Sequence, residues 1–129
     1  MKRFVLVAVA FVAGCYPVGG ADLSSQEIAA MGTGEVVSLF VEASRNRDRV
    51  TGRQLAGSCW DSVSEWFIKV GPGVEDYRVP DLHGSDRDVD AWIDFGATSG
   101  SVQRLWRADL RRDAKGSAWR ICRISERRE

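Results

Sequence analysis

The chain has 129 residues, 44% of them apolar and 28% charged, with Lys and Arg matching Asp and Glu at 18 each. That is room for one domain and the composition of an ordinary globule, which excludes disordered, collagen-like and multi-span membrane chains. Without Lys2 and Arg3 the acids lead by two, so a uniformly basic nucleic-acid binder is excluded as well.

In chain order, Lys2 and Arg3 precede an unbroken apolar run over residues 4–13. Ten helical residues span about 15 Å, half of a bilayer's hydrocarbon core, so the run has the length of a signal-peptide h-region and not of a membrane span. It ends Val12-Ala13-Gly14-Cys15, which resembles the lipobox of bacterial lipoproteins, with Val12 where Leu is commoner. The resemblance implies removal of residues 1–14, a diacylglycerol thioether on Cys15, and an anchor in a membrane of the cell envelope. In a Gram-negative envelope Tyr16, in place of a retention aspartate, points to the outer membrane facing the periplasm. Two blander alternatives are cleavage after Ala21, behind Gly19-Gly20, and retention of 4–13 as a buried helix.

With Cys15 lipidated, Cys59 and Cys122 remain in an oxidising compartment. Either they bridge, closing a long loop, or they are two separately buried thiols. Residues 15–23 show no periodicity and read as a lipidated tether before a single domain over 24–129. Ser24 and Glu27 fit a capping box. Val36, Val37, Phe40, Val41 and Ser44 follow the 3.6-residue period, with Glu35, Glu42 and Arg45 off the stripe. Asp48 caps a short segment to about Ala56, ended by Gly57. Ser58 with Asp61 offers a further cap before a stripe of Trp60, Val63, Phe67 and Val70, stopped by Gly71-Pro72-Gly73.

Beyond residue 73 the period becomes two. Residues 74–82 form a candidate strand weakened by Pro80. Val89, Ala91, Ile93 and Phe95 alternate with Asp88, Asp90, Trp92 and Asp94; residues 96–100 read as a loop. Next, Val102, Arg104, Trp106, Ala108 and Leu110 alternate with Gln103, Leu105, Arg107, Asp109 and Arg111. A turn at 113–116 leads to a last strand over 117–125. Helices followed by strands on short turns predict an α+β fold, with N-terminal helices packed on a four-stranded antiparallel sheet.

Val36, Val37 and Phe40 near the start, and Leu110, Asp113, Gly116, Trp119, Arg120 and Ile121 at the end, give residues 34–125 a resemblance to the nuclear-transport-factor-2-like superfamily, home of SnoaL-like cyclases and ketosteroid isomerases. The resemblance implies a curved sheet wrapped around helices (a cystatin-like roll or cone) whose interior is either a pocket or a filled core. An isomerase-like enzyme would place an Asp base in that cone beside an oxyanion donor. Asp61, Asp76, Asp94 and Asp109 are the available acids, Tyr77 the donor and His83 a proton carrier, yet none sits in a distinguishing motif. No catalytic residue, metal site or cofactor is therefore assigned. Asp86-Arg87-Asp88-Val89-Asp90 starts like a calcium loop, but Ala91 and Ala97 stand where glycine and the bidentate Glu belong.

Residues 75–94 hold seven acids against two bases, and 104–129 nine bases against four acids. Pairing the two strands would neutralise these faces internally; a stripe of Arg104, Arg107, Arg111, Arg112, Arg120, Arg123, Arg127 and Arg128 meeting an acidic partner is the alternative. Trp60, Trp66, Trp106 and Trp119 fall in apolar stripes. Trp92 shares its face with aspartates, so Trp92, Arg107 and Arg111 mark a candidate interaction face, covered by a second subunit in a homodimer or exposed as an anchor. The function expected is a lipid-anchored envelope accessory or binding module, its partner an envelope protein or a small apolar ligand. A pocketed isomerase or cyclase and a homodimeric assembly protein are the alternatives.

Overall fold

A computed structural model describes residues 23–80 and 84–127, the side chains of 84–87 excepted. Cys15, the tether up to residue 22 and His83 lie outside the described residues. The helices come first. Ser24 accepts from the Glu27 amide while Glu27 accepts from the Ser24 amide, starting α1 (Ser25–Ala30), which buries no residue of its own. Just behind Gly32, α2 (Thr33–Arg45) opens with the Glu35 carboxylate accepting the Gly32 amide, and it buries Val36, Val37, Phe40, Val41, Ala43 and Ser44. Asp48 caps α3 (Arg49–Ala56) through the Thr51 amide, and Gly57 ends it at a φ of 55°.

Ser58 does not cap the next helix. The chain passes through a 3₁₀ turn (Gly57–Cys59) straight into α4 (Trp60–Glu65), leaving no break for a cap to fill. A π-helical turn (Trp66–Val70) then continues the helix, so the stripe predicted as one α-helix changes pitch half-way. The change has a local consequence. Gly71 gives its amide to the Trp66 carbonyl, and residue 72 is a proline without an amide, so the Phe67 carbonyl has no backbone donor within reach along the helix. Ser44, fully buried on α2, supplies it with a 2.6 Å hydroxyl bond. Helix and turn approach so closely there that a Cβ on Gly71 would overlap the Ser44 hydroxyl.

The strands are β1 (Asp76–Arg78), β2 (Gly84–Arg87), β3 (Asp90–Ser99), β4 (Val102–Arg111) and β5 (Arg120–Glu126). The main path of the antiparallel sheet runs β1-β3-β4-β5, with β2 also pairing β3. Two sequence expectations change. Within the described part of the candidate strand at 74–82 only Asp76–Arg78 pair, and β2, a polar stretch with no alternation to reveal it, joins the same edge of β3 at Trp92 and Asp90. Nor is 96–100 a loop: β3 runs through Gly96 to Ser99, and only Gly100 and Ser101 separate Ser99 from its partner Val102. Gly100, at φ 63°, occupies the first turn position, where a two-residue hairpin favours a residue free to go positive.

Three helices, α2 to α4, thus pack on one face of an open antiparallel sheet. Between the layers Phe40, Leu55, Val63, Trp66 and Phe67 meet Ile93, Phe95, Trp106, Leu110 and Ile121, all buried. Trp66 and Trp106 cross edge-on with ring centroids 5.9 Å apart, and Phe40 and Phe67 do so at 5.1 Å. Aromatic rings fill the space between helices and sheet.

Candidate functional site

Alternation along β3 and β4 sends Trp92, Asp94, Arg107 and Arg111 to the face away from the helices, and the register sets Asp94 across from Arg107 and Asp90 across from Arg111. Arg107 closes a fork on Asp94, Nε to Oδ1 at 2.8 Å and Nη2 to Oδ2 at 3.2 Å. Arg127 reaches the same carboxylate from beyond β5, and looser pairs join Arg111 to Asp90 at 3.5 Å and Arg104 to Glu126 at 3.7 Å. The Arg107 bond, with help from Arg127, holds the Asp94 carboxyl below the usual carboxylate range against a smaller effect of burial. In return Asp94 raises Arg107. Asp90 and Asp94 of β3 are thus answered by arginines of the same chain. Trp92 is half-buried, and its cover is the chain's own Arg107, whose guanidinium lies 5.5 Å from the ring centroid.

Tyr77 points to the other side of the sheet. Its hydroxyl donates to Glu42 Oε1 at 2.9 Å, and that carboxylate also takes Arg45 at 3.1 Å and Asn46 at 3.2 Å. Arg45 extends the clasp to the carbonyls of Val74 and Glu75 and lies over the Tyr77 ring at 5.5 Å. Burial, then the bond to Glu42, push the Tyr77 hydroxyl up to about 12. Tyr77 is thereby spent on tying β1 to α2. Asp61 and Asp76 are exposed, while Asp94 and Asp109 lie on the sheet's far face. These four aspartates therefore do not converge on the Tyr77 hydroxyl, whose partner is Glu42. The clasp was missed in sequence because Glu42 and Arg45 read as a solvated helix face; their three-residue spacing was the available signal.

Cys59 and Cys122 form a disulfide, their Cα atoms 4.8 Å apart, joining the 3₁₀ turn to β5. The register explains how a strand residue reaches the helical layer. Asp109 pairs with Arg123 and Leu110 with Ile121, leaving Cys122 as the extra residue of a β-bulge. Ile121 stays buried, Arg123 stays exposed, and the bulged residue between them is free to turn toward Cys59.

Among the described residues, two of the surface depressions are lined in part by strand residues. One, of about 330 Å³, lies between the π-helical turn and the far end of the β3–β4 hairpin and is lined by Lys69, Val70, Gly73, Ala97, Ser99, Val102, Arg104 and Trp106. The other, of about 240 Å³, lies under α1, lined by Ile28, Gln54, Trp119 and Arg120 among others. Beside the latter, the Gln54 amide brackets the backbone of Leu23, giving and taking a hydrogen bond. Among the described residues no three His, Cys, Asp or Glu gather to hold a metal ion, and no helix is long and apolar enough to cross a membrane. Set against family models, curated proteins and solved structures, the chain matches none.

Proposed function

We propose that this chain is a lipid-anchored protein of the bacterial cell envelope whose domain over 24–129 serves as an accessory or binding module. The observation that carries the reading is the Cys59–Cys122 disulfide. A bridged pair belongs in an oxidising compartment, and it leaves one further cysteine, Cys15, at the end of a run with the charge, length and small residues of a lipoprotein signal. Anchoring by two or more acyl chains is durable, each buried CH₂ adding about 0.8 kcal/mol. The aromatic filling of the interior supports binding at the surface over chemistry inside a cone. Helices leading into an antiparallel sheet that ends Trp119-Arg120-Ile121 support the nuclear-transport-factor-2-like reading of the domain.

The test is made on the full chain expressed in a bacterial host, comparing native protein with Cys15→Ser. Native protein is expected in the membrane fraction, with a mature N-terminal peptide heavier than residue 15 onward by the mass of its acyl groups. Cys15→Ser is expected to leave the membrane fraction. An N-terminal peptide free of acyl mass, or membrane retention unchanged by the substitution, would overturn the anchor.

A further inference from the structure

The arginines of the hairpin differ in how tightly they are held, and the difference points to a ligand. On the outer face, Arg107 is held by a two-bond fork on Asp94, at 2.8 and 3.2 Å. At the mouth of the 330 Å³ cleft, Lys69 and Arg104 are held loosely. Lys69 sits 3.4 Å from Glu65 with both side chains more than 70% exposed, and Arg104 sits 3.7 Å from Glu126. Pairs of that kind contribute little and exchange partners at small cost. Beside these two cations the lining is Val70, Gly73, Ala97, Ser99, Val102 and Trp106, apolar apart from Ser99. Among the described residues no carboxylate lines it.

Three further features mark the cleft as more than a wrinkle. Its volume falls within the rough range of small-molecule sites, 300–1,000 Å³. Val102 leaves 52% of its surface to water, the most of any large apolar residue among those described. Beneath the floor, Trp66 packs edge-on against Trp106, and its buried indole N–H has no acceptor. An apolar body laid on Trp106 and Val102 would remove that surface from water, and an anionic head would find both cations at the rim.

We infer that this cleft binds a single-chain amphiphilic carboxylate, its apolar body on Trp106, Val102 and Val70 and its head between Lys69 and Arg104. The site is independent of the anchor: it stands whether or not Cys15 is acylated.

The experiment titrates the full chain with decanoate below its micelle concentration, followed by tryptophan emission. Saturable binding is expected, with decylammonium of the same length at least ten-fold weaker. Arg104→Ala is expected to weaken decanoate at least five-fold and Arg104→Lys to restore most of the loss. Val102→Glu is expected to abolish binding, and Arg123→Ala, on the far face, to leave it unchanged. Arg104 and Val102 are exposed strand positions, and matching thermal transitions establish that the variants fold. Absence of saturation, equal binding of decylammonium, or native affinity in Arg104→Ala and Val102→Glu would overturn the proposal. Phosphatidylcholine vesicles containing phosphatidylglycerol are included as a competitor. Failure to displace decanoate supports a free carboxylate, and displacement would overturn it in favour of a membrane surface.

Discussion

The two faces of the β3–β4 hairpin are built from alternate residues of the same two strands, and they do opposite work. Toward the helices, Ile93, Phe95, Trp106 and Leu110 are buried and held by area and shape. Away from the helices, Asp94, Arg107 and Arg111 stand in solvent and are held by charge and register. The inner face is expected to carry the stability. The outer face satisfies its own charges and selects the pairing, because a one-residue slip would bring aspartates against the core. A partner is therefore better sought where this division breaks down, at the hairpin's end, where Val102 and Arg104 belong by parity to the inner face yet stay exposed.

The inner face is broken most directly by Phe95→Ala. Phe95 is about 1% exposed, pairs with Trp106 across the ladder and meets Trp66 at 6.0 Å. Removing it is expected to cost about 3–5 kcal/mol in urea unfolding, since the rings around it cannot all collapse into the space. A loss near the size of a surface substitution would mean that the layers are not packed as described.

Next comes the disulfide, which lies where β5 departs from the alternation. Replacing Cys59 and Cys122 together by Ala is expected to cost about 2–4 kcal/mol; the chain-entropy model, for a loop of 63 residues, gives about 4. Reductant should shift the native protein's midpoint by a similar amount and leave the double variant unmoved. The pairing of Cys59 with Cys122 could not be read from the sequence, because strict alternation turns Cys122 away from the helices and only the bulge returns it.

That limit recurs elsewhere. α2, the cap at Asp48 and the long alternations of β3 and β4 were legible, since each rests on the side-chain period of a single element. β2 was not, since Gly84-Ser-Asp-Arg87 carries no apolar pattern and pairs only because β3 presents an open edge. Gly96 was mistaken for a stop, though a glycine inside a strand is tolerated when both neighbours continue the ladder. The π-helical turn depends on Pro72 and on Ser44, 28 residues away, which no local window contains. The face marked by Trp92, Arg107 and Arg111 was legible as a charge pattern. Its meaning was not, because only the register shows that each charge is already answered.

Tyr77 tests the seam between β1 and α2. Tyr77→Phe is expected to cost about 1 kcal/mol, the scale of one partly solvated hydrogen bond. The pH dependence gives a sharper sign. The hydroxyl is raised from 10.0 to about 12, so the folded protein holds this proton more tightly than the unfolded chain. The contribution is fully present below pH 10.0 and is lost as pH rises toward about 12. In Tyr77→Phe that part of the alkaline loss should vanish. Phenolate absorbance of the native protein should show a tyrosine titrating late, and an ordinary titration for both tyrosines would break the clasp with Glu42.

The smallest effect belongs to the outer face. Asp94→Asn is expected to cost no more than about 1 kcal/mol, because the carboxylate is more than a third exposed and screened by water and salt. Its sign is opposite to that of Tyr77. The folded carboxyl lies below its ordinary value of 3.8, so as pH falls the unfolded chain takes up the proton first. The contribution is fully present above pH 3.8 and disappears as pH drops through the folded value. The difference in stability between native protein and Asp94→Asn should therefore shrink in acid and in high salt, while the deficit of Phe95→Ala should hold in both. If the Asp94 deficit survived high salt and acid unchanged, the outer face would be packed like the inner one. The loosely held cations at the cleft would then lose the contrast that sets them apart.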